Sequence, residues 1–254
     1  MRKIGSITPV WNQEAWILPH FEMLKALDRN VVLLHKRPLP AYHKEHGYSI
    51  EPDLSEYLLR TYFPNVEIIQ SKYPENTEFG PELYNEGLRL MQDCNLVFRL
   101  DPDMFFTQRI WNDLLSYIRR TNYDCYHMDF SKDSINYYMT GDFEHGLKDA
   151  QEWDPLVVNP KYMFQSLKGA LFYPDGTHNV IKFDDFLCHH FRGWGKPKST
   201  PTPAWGLRPE AFELVEKYGD SGEWYKAPSK IVHQVESSLK NVDRIKIAMK
   251  EEMK

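Results

Sequence analysis

Two carboxylates one residue apart, Asp101 and Asp103, are the side chains whose type and spacing best suit chemistry. They directly follow an apolar run, residues 96–100, which is typical of a buried strand. Carboxylate oxygens are preferred ligands of Mg²⁺ and Mn²⁺, which in proteins are often shared with substrate phosphates. Pro102 between them fixes its own φ near about −65° and stiffens the turn. The spacing therefore predicts a divalent-cation site that could hold a diphosphate.

The same tripeptide also allows a purely structural interpretation. An acidic turn commonly precedes a helix, and Thr107 could act as the N-cap of a helix over residues 108–120. Short motifs of this kind match often by accident. The surrounding elements must decide between the two interpretations.

Strand and helix patterns alternate before the acidic pair. Apolar runs predict strands at residues 31–34 and 66–69, and the segment after Thr107 has apolar residues at helical spacing. An earlier stripe predicts a helix that contains Pro19, which a helix tolerates only in its first turn. This alternation is typical of an α/β fold with a mainly parallel sheet and helices on both faces.

Residues 1–120 resemble the nucleotide-sugar glycosyltransferases of the GT-A fold, in the broad family-2-type group. Four features carry the resemblance in order: a first strand with the turn at residues 7–14 (ITPVWNQE), two further strands, an Asn-x-Gly helix at 85–88 (NEGL), and the strand before Asp101. The resemblance implies a Rossmann-like GT-A domain, and the residue pattern after it predicts a C-terminal helical extension. The resemblance also implies transfer of a hexosyl or pentosyl group with Mn²⁺ or Mg²⁺ as cofactor.

The second half of the chain resembles the same group more loosely. Segments 152–155 (EWDP), 169–173 (GALFY), 177–179 (THN) and 189–194 (HHFRGW) follow the family's order. Two positions depart from the pattern. Asn179 stands where the family has a glutamate, and residues 35–37 (HKR) end the second strand where the family usually has aspartates that contact the nucleotide.

The resemblance implies roles for individual residues. Asp101 would face the ribose and the metal, Asp103 would bind the metal, and His190 suits a further ligand, unless His189 and His190 are simply a strand pair. We expect residues 190–194 to close over the donor. The expected donor-binding residues are Thr8, Pro9, Val10, Asn12, Asn85, Asp101, Arg192 and Trp194.

An inverting transferase also needs a general base that takes the proton of the acceptor hydroxyl. The acceptor half offers five carboxylates, of which Asp185 is the first choice because it precedes His190 in the same predicted strand. Glu152 and Asp175 come next, and the remaining two are Asp154 and Asp184.

Three functions fit these features. The first is metal-dependent, inverting glycosyl transfer, with a UDP-sugar donor and an acceptor that is a saccharide, a lipid-linked saccharide, a protein or a modified nucleic-acid base. The second is nucleotidyl transfer, which usually needs a Gly-rich basic loop, whereas residues 4–14 contain only Gly5. The third is non-catalytic carbohydrate binding, in which the acidic pair would be structural.

The net charge, the cysteine count and the apolar runs of the chain indicate which partners and which compartment to expect. A net charge of −5 gives no overall basic field for nucleic acid or an anionic membrane. The 3 cysteines are odd in number and show no paired spacing, which favours a reducing compartment over disulfides or a zinc site. Without an apolar run of about 18 residues or a secretory leader, we expect a cytoplasmic protein with no transmembrane segment.

The predicted organisation is one catalytic domain with an appendage. Residues 1–200 would form the GT-A domain, with a nucleotide-binding half at 1–120 and an acceptor half at 121–200. Residues 201–254 would form a proline-rich linker and helices at about 210–218 and 229–253. The last helix has near-heptad apolar spacing, which suits packing onto the domain, a homodimer contact or an acceptor-side surface.

Overall fold

A computed structural model describes residues 2–11, 13–35, 54–73, 80–106, 108–129, 134–137, 143–145, 154–165, 171–172, 180–183, 186 and 188–191. The linker, the two C-terminal helices, the homodimer contact and the capping Thr107 lie outside these residues. The predicted domain boundaries therefore remain predictions.

Four helices and thirteen strands make up the described chain. The helices are α1 (Glu14–Leu24), α2 (Ser55–Tyr62), α3 (Gly80–Leu90) and α4 (Gln108–Arg120). The strands of the first half are β1 (Ile4–Val10), β2 (Arg29–Leu34), β3 (Glu67–Gln70), β4 (Leu96–Arg99) and β5 (Met104–Phe105). Those of the second half are β6 (Cys125–Met128), β7 (Ser134–Tyr137), β8 (Phe143–His145), β9 (Asp154–Val158), β10 (Met163–Phe164), β11 (Leu171–Phe172), β12 (Val180–Phe183) and β13 (Cys188–Phe191).

The central sheet has seven strands in the order β12-β6-β9-β4-β1-β2-β3. Strands β4, β1, β2 and β3 are mutually parallel, and β12 is parallel to β6. Only β9 runs against its neighbours β4 and β6. The predicted α/β class with a mainly parallel sheet is confirmed, and the order β1 to β4 follows the GT-A resemblance.

Helices cover both faces of this sheet, as predicted. Side chains alternate between the faces of a strand, so Ile4 and Val10 of β1 point to one side and Ile7 to the other. The first side packs against α1, α2 and α4. The second side packs against α3. Each helix therefore packs on the sheet through buried apolar contacts.

The prediction for Pro19 is wrong. Pro19 is the sixth residue of α1, well past the first turn. A proline there removes one backbone hydrogen bond and crowds the preceding turn. The helix nevertheless continues to Leu24, because Ile17, Phe21 and Leu24 are buried in the core beside the sheet. Tertiary packing outweighs the local cost of the proline.

A smaller four-stranded sheet, in the order β5-β13-β7-β8, adjoins the acidic tripeptide. Strand β5 begins immediately after Asp103, and its Phe105 packs against Trp16 of α1 with ring centroids 5.9 Å apart. The three cysteines are free and buried. None of the helices in the described residues is long and apolar enough to cross a membrane.

Candidate functional site

The crevice at the carboxyl ends of β1 and β4 is the natural place for a ligand. From β1 the chain moves to β2 and β3 on one side, while β4 lies on the other side of β1. Ligands of open α/β sheets bind where the strand order reverses in this way. Asp101 and Asp103 follow β4 at this edge.

Pro9 ends the pairing between β1 and β4. The Ile7 carbonyl accepts a hydrogen bond from the Leu100 amide at 3.4 Å, so Ile7 directs its backbone groups toward β4. Pro9, two residues further on, faces the same side but has no N–H to donate. The registered pairs accordingly stop at Ile7 and Arg99. The residues after β4 leave the sheet there, so Asp101 lies at the edge where the two strands separate.

Asp101 and Asp103 lie on a tight turn between β4 and β5. The Met104 amide donates to the Asp101 carbonyl at 3.0 Å, and Pro102 is buried within the turn. The Tyr84 hydroxyl of α3 donates to Asp101 Oδ1 at 2.9 Å. Asp103 is 9% exposed. The acidic pair is therefore held by backbone and by a phenol rather than lying loose at the surface.

A histidine lies behind Asp103. His20 of α1 is completely buried and makes edge contacts with the rings of Phe21 and Phe105, at 5.2 and 5.9 Å between centroids. Burial lowers the pKa of His20 to about 4, while the Met104 backbone and the Asp103 charge oppose that shift more weakly. His20 is therefore neutral near pH 7 and adds no positive charge beside the acidic pair.

An arginine contacts the same tyrosine as Asp101. The guanidinium of Arg99, the last residue of β4, lies over the Tyr84 ring at 5.2 Å and the Phe164 ring at 5.6 Å from the centroids. Those two rings are themselves 5.6 Å apart. Cation–π contacts of this kind hold a guanidinium in place without neutralising it.

Asn85, predicted to bind the donor, joins two elements of the fold. Its Nδ2 donates to the Phe164 carbonyl at 2.9 Å, and its Oδ1 accepts from the Phe164 amide at 2.7 Å. The side chain thus pairs with β10 as another strand would. This pair fixes the position of the Phe164 ring beside Arg99, and donor binding by Asn85 stays a prediction.

The late histidine segment reaches the acidic turn. Strand β13 pairs antiparallel with β5, and His190 lies opposite Met104, the residue after Asp103. The structure therefore brings the backbone of His190 beside the turn, and metal ligation by His190 stays a prediction. The predicted single strand from Asp185 to His190 is wrong, because β13 begins at Cys188 and Phe186 lies outside any strand.

The predicted nucleotide-binding residues of β1 form the centre of the sheet. Thr8, Pro9 and Val10 are all buried. Beyond them, the ring centroids of Trp11 and the buried His35, which follows β2, are 6.5 Å apart. Donor contacts by Thr8, Pro9 and Val10 remain predictions. The remaining predicted site residues lie outside the described part of the chain: Asn12, Glu152, Asp175, Asp184, Asp185, Arg192 and Trp194.

Asp129 is a buried carboxylate that sequence reasoning missed. It follows β6, whose carboxyl end lies at the same sheet edge as that of β4, since both strands run antiparallel to β9. Asp154, weighed as a general base, begins β9 opposite Met128 at this edge. The signal was present, because Asp129 follows the short strand run 125–128 much as Asp101 follows β4.

The donor set fits a hard divalent cation. Mg²⁺ and Mn²⁺ are usually held by one or two carboxylates together with substrate phosphates, and Asp101 and Asp103 supply two carboxylates on one turn. Within the described ranges, no group of three or more His, Cys, Asp or Glu side chains forms a metal site.

No protein-family model matches the chain, and no curated protein matches it. Among solved structures, the chain is similar to S. aureus TarS 1-349 in complex with UDP-GlcNAc, with 12% identity, a TM-score of 0.48 and coverage of 85% of this chain and 65% of that one. It is similar to S. aureus TarS with 12% identity, a TM-score of 0.49 and coverage of 85% and 38%. It is also similar to 4-diphosphocytidyl-2C-methyl-D-erythritol synthase from Anaerococcus prevotii DSM 20548, with 10% identity, a TM-score of 0.37 and coverage of 63% of this chain and 72% of that one.

The chain spans less than two thirds of the length of each of these two TarS chains. With identities of 10 to 12% and TM-scores below 0.5, these similarities say nothing about substrates. What the chain itself shows is an α/β fold whose strand order places an Asp-Pro-Asp turn at the switch point of a mainly parallel sheet.

Proposed function

We propose that the chain is a metal-dependent glycosyltransferase, which moves a sugar from a nucleotide-diphosphate sugar to an acceptor hydroxyl. The observation that carries this proposal is the position of Asp101 and Asp103 at the carboxyl end of β4, beside the point where its pairing with β1 ends. A carboxylate pair in that crevice would repel a diphosphate unless a cation lay between them.

The residues around the pair would orient it. Asp101 and Asp103 would hold Mn²⁺ or Mg²⁺, which when bound supplies a Lewis acid that stabilises the charge of the diphosphate leaving group. Tyr84 keeps Asp101 in one orientation through its 2.9 Å hydrogen bond. Pro102 stiffens the turn between the two carboxylates. A UDP-sugar is the proposed donor.

An inverting reaction is proposed as the stereochemical outcome. It needs a carboxylate within hydrogen-bond reach of the acceptor hydroxyl. Asp185, Glu152 and Asp175 remain the proposed candidates from the sequence. Asp154 gains support, because β9 begins with it at the same sheet edge as the acidic turn.

Nucleotide binding and donor turnover test the proposal together. UDP should raise the melting temperature only when Mn²⁺ or Mg²⁺ is present, by an amount that corresponds to about 2.7 kcal/mol at a UDP concentration of 100 times its Kd. Mass spectrometry against a panel of nucleotide sugars should then show release of the nucleoside diphosphate. A nucleotidyltransferase would instead release pyrophosphate from a nucleoside triphosphate.

Asp103→Asn is the decisive variant, because it keeps the shape of the side chain and removes its charge. It should abolish metal-dependent UDP binding and donor turnover while leaving the circular dichroism spectrum unchanged. Asp113→Asn, on the exposed side of α4, is the matched control and should behave as wild type. Wild-type turnover in a folded Asp103→Asn protein would reduce the tripeptide to a structural turn.

A further inference from the structure

Among the described residues, Arg99 is a cation that aromatic rings hold in place and that pairs with no anionic side chain. Its guanidinium contacts the faces of Tyr84 and Phe164. Its side chain is half-buried, and within the described residues it makes no hydrogen bond or ion pair. Partial burial of a guanidinium removes some of its hydration, which is unfavourable. Without an ion pair, no Coulombic attraction offsets that loss of hydration.

Arg29 at the opposite edge of the same sheet shows what a structural arginine looks like in this protein. Its guanidinium pairs with Glu67 and Asp93, at 2.5 Å in each case. It also donates to the Leu90 carbonyl at 2.8 Å. The fold thus provides ionic partners for the arginine at the edge away from the crevice, whereas the described contacts of the arginine at the crevice are aromatic.

The aromatic support of Arg99 is preorganised. Asn85 fixes the backbone of Phe164 through two hydrogen bonds, and Asp101 fixes the hydroxyl of Tyr84. Both rings are buried. Arg99 is therefore confined on the α3 side of the sheet, over the ring of Tyr84, whose hydroxyl donates to Asp101. A confined guanidinium loses less conformational entropy when it forms hydrogen bonds with a ligand.

We propose that Arg99 binds an anionic oxygen group of the substrate, either a phosphate or a carboxylate. The planar fork of a guanidinium matches both groups with two parallel hydrogen bonds. The position of Arg99, two residues before Asp101, places this anion site in the same crevice as the proposed cation. The anion site follows from the geometry alone, whereas its assignment to a nucleotide sugar rests on the proposed function.

Two sources of the anion agree with this position. One is the diphosphate of the donor, in which case Arg99 would share the leaving-group charge with the cation. The other is a carboxylate on the transferred sugar, as in a nucleotide-linked uronic acid. Binding of UDP, UDP-glucose and UDP-glucuronate, each with Mn²⁺, separates the two sources.

The test uses the full chain and the variants Arg99→Gln and Arg99→Lys, with Arg60→Gln as the matched control. Arg60 is exposed on α2 and pairs with Glu56, so its loss removes the same charge away from the crevice. Charge-assisted hydrogen bonds predict that Arg99→Gln weakens binding about 10- to 100-fold. Arg99→Lys should fall between wild type and Arg99→Gln, and Arg60→Gln should match wild type.

The pattern across ligands identifies the anion. Equal losses for all three nucleotides in Arg99→Gln would assign Arg99 to the diphosphate. A loss confined to UDP-glucuronate would assign it to the sugar carboxylate. Unchanged affinity for all three nucleotides, with only a lower melting temperature, would overturn the proposal and leave Arg99 as a structural contact between α3 and β10.

A measurement without nucleotide keeps this result separate from the proposed function. Inorganic phosphate is titrated, without metal, into the ¹⁵N-labelled protein, and the Arg99 Nε–Hε resonance is identified by its absence in Arg99→Lys. That resonance should shift with phosphate while the Arg60 resonance does not. A shift without any nucleotide binding would support the anion site and refute the glycosyltransferase, whereas equal shifts at both arginines would overturn the site.

Discussion

Asn85 and Phe164 are 79 residues apart in the chain and exchange two hydrogen bonds, in which one side-chain amide satisfies both backbone groups of its partner. The pair connects α3 to β10, and it holds the Phe164 ring against which the Arg99 guanidinium lies. A motif that resembles a donor-binding signature in the sequence therefore has a structural role in the fold.

Replacing Asn85 with alanine should destabilise the protein. The Phe164 amide and carbonyl would remain buried without partners, which costs about 2 to 4 kcal/mol in total. Chemical denaturation followed by tryptophan fluorescence measures the loss. Gln108→Ala removes an exposed amide that donates to Asn112, and it should change stability by less than about 0.5 kcal/mol. Equal effects of the two variants would contradict the role given to Asn85.

Gly87→Ala should also destabilise the protein, because α3 crosses β1 closely at this residue. A Cβ at Gly87 would lie 2.8 Å from Cγ2 of Ile7 and 3.1 Å from Cδ1 of Leu33. Overpacking of this kind lowers the free energy of unfolding by about 1 to 3 kcal/mol. The better helix propensity of alanine offsets about 1 kcal/mol of that loss. Thermal unfolding of Gly87→Ala and of Ser116→Ala separates the two effects, since Ser116 is exposed on α4. A more stable Gly87→Ala protein would show that the helix can move away at little cost.

Tyr84→Phe should weaken metal-dependent UDP binding without unfolding the protein. The substitution keeps the ring over which Arg99 lies and removes only the hydroxyl that donates to Asp101. Loss of one such hydrogen bond corresponds to about a fivefold change in Kd. Titration calorimetry of UDP with Mn²⁺ measures it, with Tyr57→Phe on the exposed face of α2 as the control. Identical affinities in both variants would show that Asp101 needs no orientation by Tyr84.

His20 should make the folded state less stable in mild acid. Its pKa is about 4 in the folded protein, against 6.5 as its ordinary value, so below pH 6.5 the unfolded chain takes up the proton more readily. Stability should therefore fall between about pH 6.5 and pH 4, by up to about 3 kcal/mol from this residue. Above pH 6.5 the residue contributes no pH dependence.

His20→Phe tests this expectation, because it keeps an aromatic ring against Phe21 and Phe105 and cannot take up a proton. The difference in unfolding free energy between wild type and variant should be constant above pH 7 and should shift in favour of the variant as the pH falls. A difference that does not vary between pH 7.5 and pH 4.5 would rule out His20 as the source.

The elements of the first half could be predicted because their signals are local. The stripe after Thr107 predicts a helix over residues 108–120, and α4 has those bounds. The run before Asp101 predicts a strand, and β4 ends at Arg99, since Pro9 of the neighbouring strand provides no further donor. These outcomes depend on side-chain periodicity and on backbone chemistry within a few residues.

The site could be predicted only in part, because much of it depends on distant pairs. The acidic turn could be placed at a strand end from the sequence. The attachment of Asn85 to Phe164 and the position of Arg99 over two rings join three separate segments, and no local pattern encodes them. The prediction that one strand already includes Asp185 was wrong for the same reason. The start of β13 is determined by its pairing with β5 and β7.

The reaction rates of the buried cysteines report how often the strands that contain them open to solvent. Cys125 lies in the seven-stranded sheet and Cys188 in the four-stranded sheet, and burial raises the pKa of both thiols. Because only a thiolate attacks an alkylating reagent, each cysteine reacts only when its own strand opens to solvent. The labelling rates of Cys125 and Cys188, measured separately from that of Cys94 by peptide mapping, thus compare how often each sheet opens. A ligand that bridges the acidic turn and β13 would slow labelling of Cys188 more than labelling of Cys125.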